Sequence, residues 1–563
     1  MLRRFLLQCR TIVRLKPSQA AFYVIRRGLP ARRVTRVPTP VVREMLFEVE
    51  PLRTLRLIEQ PASFCFLNVT NRLGSSPEKV DWCPAGVSRL WRYNLHYFDY
   101  LRQADYPAGS KLELMRSWVK NHPQGSRPGW EPFTTSLRIV NWVFLLHTQT
   151  RVCEEDPLIR SLFEQLLWLE KNDERHILAN HYFENLKALL FGGVFFSGRD
   201  AGRWLRRATD AIAEQLEEQT LADGGHYERA PQYHCLMVEN YLDIVNLVQS
   251  NAQLFDDDFL ERVRSAATVG LNWLNAVTFP DGTIPLFNDS AFGSAPTSAE
   301  LQTYASKLFG YDCGENQAVA QIFEKPASGL YGVRGARDMF IIDCGEIGPS
   351  YQPGHTHCDF LSYELMLADQ RIVVDTGVYE YEPGEMRHLV RSTRAHNTVM
   401  LDGAEQSEIW GEFRVARTAK KLAAKIVREG VLVRFAGEFT GFPTVPGEVR
   451  HQRSVDISLN PESTIIESLI FRDVITGRGK HLIENRVHLH PDIACSRIEE
   501  GAISLQVGSN AVAQIVFDPD LAPCIEAAVY CPELGKKLSS AVVVFRMSAE
   551  LPFEMCYQIR VTH

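Results

Sequence analysis

One change of rhythm constrains this chain more than any other feature. From about residue 108 to 310 the apolar residues recur at helical spacing, as in Leu112, Leu114, Met115, Trp118 and Val119, and again in Leu158, Leu162, Phe163, Leu166, Leu167 and Leu169. Near Pro280-Asp281-Gly282 the character shifts, and beyond about residue 327 come short alternating runs: Met339–Ile342, Arg371–Val374, Val431–Phe435, Ile503–Val507 and Ala541–Phe545. Helices first and strands second predict an α+β multidomain protein rather than a βαβ alternation. The expected segments are a basic arm with its lead-in over 1–80, a helical domain over 81–325 and a strand domain over 326–563.

Composition narrows the class. With 45% hydrophobic, 10% aromatic and 23% charged residues, the chain is neither disordered, collagenous nor a coiled coil. No apolar run approaches the roughly 18 residues of a membrane span. No GxGxxG or GK[ST] follows a strand, and the basic residues lack an RNA-binding aromatic signature, so neither a nucleotide-cradling fold nor nucleic-acid binding is expected. The twelve cysteines are scattered without a CxxC, which predicts reduced thiols and a cytoplasmic setting.

The net charge of −7 conceals an asymmetry. Residues 1–43 hold eleven Lys/Arg and no acid, so the rest of the chain carries all 68 acids. Such an arm suits a peripheral contact with an anionic membrane or with a polysaccharide synthase, or it neutralises its own body. Phe5-Leu6-Leu7 gives way at once to Gln8, Cys9 and Arg10, too short an apolar run for an export signal; in a eukaryote the same stretch would read as a mitochondrial transit peptide.

Three clusters concentrate the chemistry. Asn180-His181-Tyr182-Phe183-Glu184-Asn185 enters a helical run, where His181 and Glu184 share a face and Glu184 would orient the imidazole. Asp223-Gly224-Gly225-His226-Tyr227-Glu228-Arg229-Ala230-Pro231-Gln232-Tyr233-His234 reads as a glycine turn leading into a helix. The third comprises Gly354-His355-Thr356-His357-Cys358-Asp359, then Val373-Val374-Asp375-Thr376-Gly377, then Arg391-Ser392-Thr393-Arg394-Ala395-His396-Asn397. On an extended strand His355, His357 and Asp359 would point to one face, and two histidines with a carboxylate match a zinc or other transition-metal site as well as they match histidines satisfied by neighbours.

These clusters, with Leu90-Trp91-Arg92-Tyr93-Asn94-Leu95-His96-Tyr97, Trp130-Glu131-Pro132 and Ser136-Leu137-Arg138-Ile139-Val140-Asn141-Trp142, resemble the heparinase II/III-like polysaccharide lyases over roughly residues 80–490. The resemblance implies an N-terminal (α/α) toroid of helical hairpins followed by a C-terminal antiparallel β-sandwich. It implies that Asn180 or His181 grips a substrate carboxylate, that Tyr233 works the proton and that His355 is the partner base. It further implies that His357, Asp375 and His396 hold one divalent ion, usually zinc, in a structural role, preferring Asp375 where the strand argument chose Asp359.

The implied reaction is β-elimination on an anionic, uronate-containing polysaccharide, tied to bacterial exopolysaccharide metabolism. It needs donors for the developing carboxylate charge and cations to lower a tyrosine pKa near 10, for which Arg229, Arg391 and Arg394 are the candidates; Arg138, Arg391 and Arg394 are expected to line the cleft as oxyanion clamps. A uronyl C5-epimerase on the same scaffold, a catalytically silent polysaccharide-binding or assembly protein, and a glycoside hydrolase remain alternatives.

Overall fold

The computed structural model describes residues 2–28, 30–52, 57–60, 62–148, 156–312, 314, 320–461, 465–499, 501–521 and 523–562. Helical periodicity becomes a succession of helices: α1 (Leu2–Ile12) and α2 (Pro17–Gly28) in the arm, then α3 (Arg89–Tyr97), α4 (Ala108–Asn121), α5 (Pro132–Leu146), α6 (Pro157–Asn172), α7 (Ala179–Phe195), α8 (Arg199–Gln219), α9 (Pro231–Ser250), α10 (Asp257–Val277) and α11 (Ser298–Phe309). Local chemistry sets their ends. Proline occupies the first turn of α5, α6 and α9, where no intrahelical N–H is needed. Thr297 and Glu300 form a capping box on α11, which stops at Gly310 in the left-handed conformation (φ 69°).

Burial sorts these helices into two layers. On α8 only a stripe including Ala201, Trp204, Ala208, Ile212 and Leu216 is buried, the mark of an outer helix. By contrast α7 and α9 are buried on nearly every side, as inner helices must be. Each fully buried Leu, Ile or Phe contributes about 1.5–3 kcal/mol. The result is a toroid of helical hairpins.

The alternating runs form antiparallel sheets. One sheet of eight strands runs in the order Lys420–Glu429, Leu432–Gly441, Val449–Leu459, Ile466–Thr476, Phe553–Val561, Asn510–Phe517, Ala502–Val507, Ile493–Glu499. Alternate residues of Val449–Leu459 are buried, as period two requires. Phe435, Val455, Phe471, Tyr557 and Phe517 fall in register across five strands and build a core rung. A five-stranded sheet (Gln321–Lys325 to Gln370–Val373) and a four-stranded one complete the β-sandwich. One expectation fails here: residues 355–359 are turns and irregular backbone, because regular pairing resumes only at Tyr363. The face-sharing argument for His355, His357 and Asp359 therefore does not hold.

A buried ionic cluster ties this irregular segment to the sheet. Arg453 donates to both oxygens of Asp473 (2.7 and 3.0 Å), and also to the carbonyls of Leu361 (2.7 Å) and Asn397 (2.6 Å). His451 and Asn485 donate to the same carboxylate at 2.6 and 2.7 Å. Burial would raise the pKa of Asp473, but Arg453 and His451 outweigh it and hold the carboxyl well below its ordinary range. Asp473→Asn strands a buried guanidinium, so urea unfolding is expected to register a loss of about 3–5 kcal/mol. A depressed carboxyl pKa stabilises above the unfolded value near 4 and loses that contribution as pH falls, so the wild-type advantage over the variant should shrink below about pH 4. A variant within about 1 kcal/mol of wild type at neutral pH would refute this account.

Candidate active site

Three segments converge where the toroid meets the sandwich, each entering or leaving through strained backbone. Leu178 (φ 66°) and Ala179 (φ 53°) precede Asn180, Arg229 (φ 60°) follows Glu228, and Asn288 (φ 57°) precedes Asp289. Non-glycine residues in this region cost of order 1–3 kcal/mol each and persist only where surrounding structure holds them.

Asp289 is the hub. Its carboxylate takes both terminal nitrogens of Arg387, one of them at 2.7 Å, and accepts from His355 Nδ1 (2.9 Å) and His357 Nε2 (2.8 Å). Burial opposes its charge, but Arg387 and the two histidines keep it well below the ordinary carboxylate range. The Asp289 N–H donates to the His355 carbonyl at 3.0 Å and the His357 N–H to Asn288 Oδ1 at 2.9 Å, so the irregular histidine segment is zipped onto the loop between α10 and α11. With Nδ1 pinned, the other nitrogen of His355 is set toward Glu228, whose carboxylate lies 3.3 Å from Nε2.

Tyr233 comes from the first turn of α9, and its ring stacks on His355 with centroids 3.8 Å apart and planes at 30°. Its hydroxyl sits 3.5 Å from that of Tyr381. Burial, then Tyr381 and Asp289, push its pKa well above the usual value, so the resting side chain is a neutral phenol. Phe413 and Tyr381 complete the aromatic wall around His355, with centroids 6.0 and 6.5 Å away.

Asn180 and His181 occupy the first turn of α7. The Asn180 N–H donates to Glu228 Oε1 at 3.1 Å, which links this helix start to the His355 partner. His181 packs against Phe133 and faces Glu174 across 3.3 Å. Burial disfavours its charge, yet Glu174 outweighs this and holds the imidazole above its ordinary pKa. The expected partner Glu184 does not serve: it accepts instead from Asn240 Nδ2 at 2.6 Å, and burial raises its pKa.

Most of the expected arginine clamps are committed elsewhere. Arg138 is buried inside the toroid, donating to Gln165 Oε1 (2.8 Å) and Gly129 O (2.6 Å) with its guanidinium 4.1 Å from the Trp118 ring. Arg391 is buried and donates to the carbonyls of Thr356 (3.2 Å) and Gly411 (3.0 Å). Arg229 reaches Ser328 O at 3.5 Å, with the charges of Asp343 and Glu346 nearby. Arg394 alone of the four is exposed. None of them contacts Tyr233; the nearby cation is Arg387, which sequence reasoning passed over together with Asp289, Tyr381 and Glu174. Glu228 lay inside the second cluster, and its density of polar groups was the available signal.

For a metal, the histidines are the informative groups. His357 Nδ1 and His396 Nε2 are buried with no hydrogen-bond partner, their rings 5.3 Å apart, while the opposite nitrogens are tied to Asp289 and, at 2.7 Å, to Asp375. A carboxylate on one nitrogen and nothing on the other is the arrangement of metal-ligating histidine. Asp375 and Asp359 both interact electrostatically with His396. Among the described residues, no three His, Cys, Asp or Glu side chains converge as placed into a set that could hold an ion.

The heparinase II/III N-terminus matches residues 103–312 and the heparinase II/III-like C-terminal region matches residues 318–559. A heparin-sulfate lyase of Pedobacter heparinus is 26% identical over 321 residues, 51% of this chain and 46% of the relative. One from Bacteroides stercoris is 24% identical over 341 residues, 54% and 49% of the two chains. The matched region thus spans about half the length of these relatives. The crystal structure of heparinase III superposes with a TM-score of 0.65 at 16% identity, covering 86% of this chain and 79% of that one, which establishes the shared fold.

Proposed function

Since the chain belongs to the heparinase II/III-like family, we propose that it is a polysaccharide lyase that cleaves an anionic, uronate-containing polymer by β-elimination. The observation that carries the reading is the stack of Tyr233 on His355, beside the α7 start that presents Asn180 and His181. Asn180 and His181, whose charged form Glu174 favours, bind the uronate carboxylate and stabilise the charge that develops when the adjacent carbon loses its proton. His355, held through Nδ1 by Asp289, takes that proton at Nε2, displacing Glu228 as the sugar enters. Tyr233, neutral at rest, protonates the departing glycosidic oxygen. This assigns the tyrosine as acid rather than base, since burial, Tyr381 and Asp289 together hold its pKa above the usual value.

The test is incubation of purified protein with a panel of uronate polymers, read by ultraviolet absorbance and product mass. An unsaturated end, in a fragment lighter by one water than its hydrolytic counterpart, supports the lyase. A saturated fragment would indicate a hydrolase. Solvent deuterium entering the sugar without chain cleavage would indicate an epimerase.

The same reading includes one divalent ion, zinc by its imidazole and carboxylate donors, held by His357, His396 and Asp375, whose carboxylate must leave His396 Nδ1 to serve as the third ligand. The unpartnered Nδ1 and Nε2 atoms support it. Bound there, the ion would brace the segment that aims His355. Elemental analysis is expected to find about one equivalent, and chelation to lower the melting temperature by several degrees, since an ion at a hundred times its Kd adds about 2.7 kcal/mol. Protein purified without chelator but free of metal, or a His357→Ala variant melting like wild type, would exclude the site.

A further inference from the structure

The arm's two helices are inverted relative to ordinary surface helices. α1 turns its polar side inward: Arg10 pairs with Glu408 at 2.9 Å, Thr11 Oγ1 accepts from Trp410 Nε1 at 3.1 Å, and Arg14 donates to Thr418 Oγ1 at 3.2 Å. Its apolar side faces out apart from the buried Leu7, with Phe5 60%, Leu6 42% and Ile12 57% exposed, and Val13 just beyond the helix 80% exposed. α2 repeats the arrangement, burying Gln19 against Ile177 O (3.3 Å) and Arg26 against Asn172 and Asp173 (3.0 and 2.9 Å), while Val24 and Ile25 are 69% and 43% exposed. An amphipathic helix normally buries the opposite stripe. Around these two stripes Arg4, Arg32, Arg33 and Arg36 are exposed, and residues 1–43 hold no acid.

We propose that α1 and α2 form a docking face for an anionic phospholipid bilayer, the apolar stripes entering the headgroup–acyl boundary and the arginines meeting lipid phosphates. Exposed aliphatic and aromatic side chains on an arm whose own charges are all cationic fit that surface. The face adjoins the candidate site. Trp410, which holds α1, belongs to the hairpin Ile409–Trp410/Arg414–Val415, whose Phe413 lies 6.0 Å from His355. Ile177, which holds α2, immediately precedes the strained Leu178–Ala179 entry to Asn180. A bilayer on this face therefore lies near the candidate site, where a polymer at the membrane surface is within reach. The inference rests on the arm alone and stands whether or not the protein is a lyase.

The test is co-sedimentation of the full chain with vesicles of phosphatidylcholine alone and with about a third phosphatidylglycerol. Binding is expected for the anionic vesicles and to weaken with salt. Changing Phe5, Ile12 and Val13 together to Ser should reduce it tenfold or more, and Val24→Ser with Ile25→Ser should also lower it, with unchanged melting because the replaced groups are exposed. Changing Arg4, Arg32 and Arg33 to Gln should weaken binding roughly tenfold or more and flatten its salt dependence. No binding to anionic vesicles, equal binding to both kinds, or light scattering that shows the stripes buried in a dimer broken by the Ser variants would overturn the proposal.

Discussion

Tyr233→Phe is expected to lower turnover at least a hundredfold on whichever polymer the wild type cleaves, with melting temperature and KM almost unchanged. The phenyl ring that stacks on His355 at 3.8 Å remains, so packing is retained. The lost hydroxyl gives up one long contact, 3.5 Å to Tyr381, worth little to stability. What disappears is the proton delivered to the leaving oxygen, and a positioned acid or base contributes about a hundredfold to ten thousandfold. Initial rates by absorbance, with a melt in parallel, decide it. A variant retaining more than about a tenth of wild-type turnover would take Tyr233 out of the chemistry.

What the chain disclosed in advance follows physical range. Helical and strand periodicities are local, and they reappear as α4 over Ala108–Asn121, α6 over Pro157–Asn172 and the strand Met339–Asp343. The clusters around Asn180, Tyr233 and His355 were legible because polar and aromatic groups crowd the starts of elements. Partner identity was not, because it is tertiary. Local spacing offered Glu184 to His181, whereas the turn before α7 brings Glu174, seven residues upstream, to 3.3 Å. Asp289 lies 66 residues from His355 and no local pattern couples them. The expected arginine clamps went astray for a different reason: the fit of a guanidinium to an oxyanion does not show whether its place in the fold is open to a ligand. Arg138 stands in the apolar run Leu137-Arg138-Ile139-Val140 of α5, a helix apolar on nearly every side, which left it only interior acceptors such as Gln165 Oε1 and Gly129 O.

Asp289→Asn should damage both stability and activity, because one carboxylate serves three partners at the site. An amide keeps the shape but loses the charge and offers one acceptor oxygen where Arg387, His355 and His357 need two. Arg387, buried beneath Tyr381 and Phe413 with ring centroids 4.9 and 5.0 Å from its guanidinium, is left without a counter-charge, a loss of about 3–5 kcal/mol. His355 also loses the acceptor that fixes its tautomer, so Nε2 no longer presents a lone pair to the sugar, and kcat should fall about a hundredfold or more. The two losses separate experimentally. Urea unfolding measures the first, and assays well below the variant's melting temperature measure the second. Arg387→Met, which removes the cation instead, should destabilise by a similar amount yet leave His355 hydrogen-bonded, and so retain more activity than Asp289→Asn. Equal kinetic losses in the two variants would mean that Asp289 acts only through stability, and that the aim of His355 is set by something other than this carboxylate.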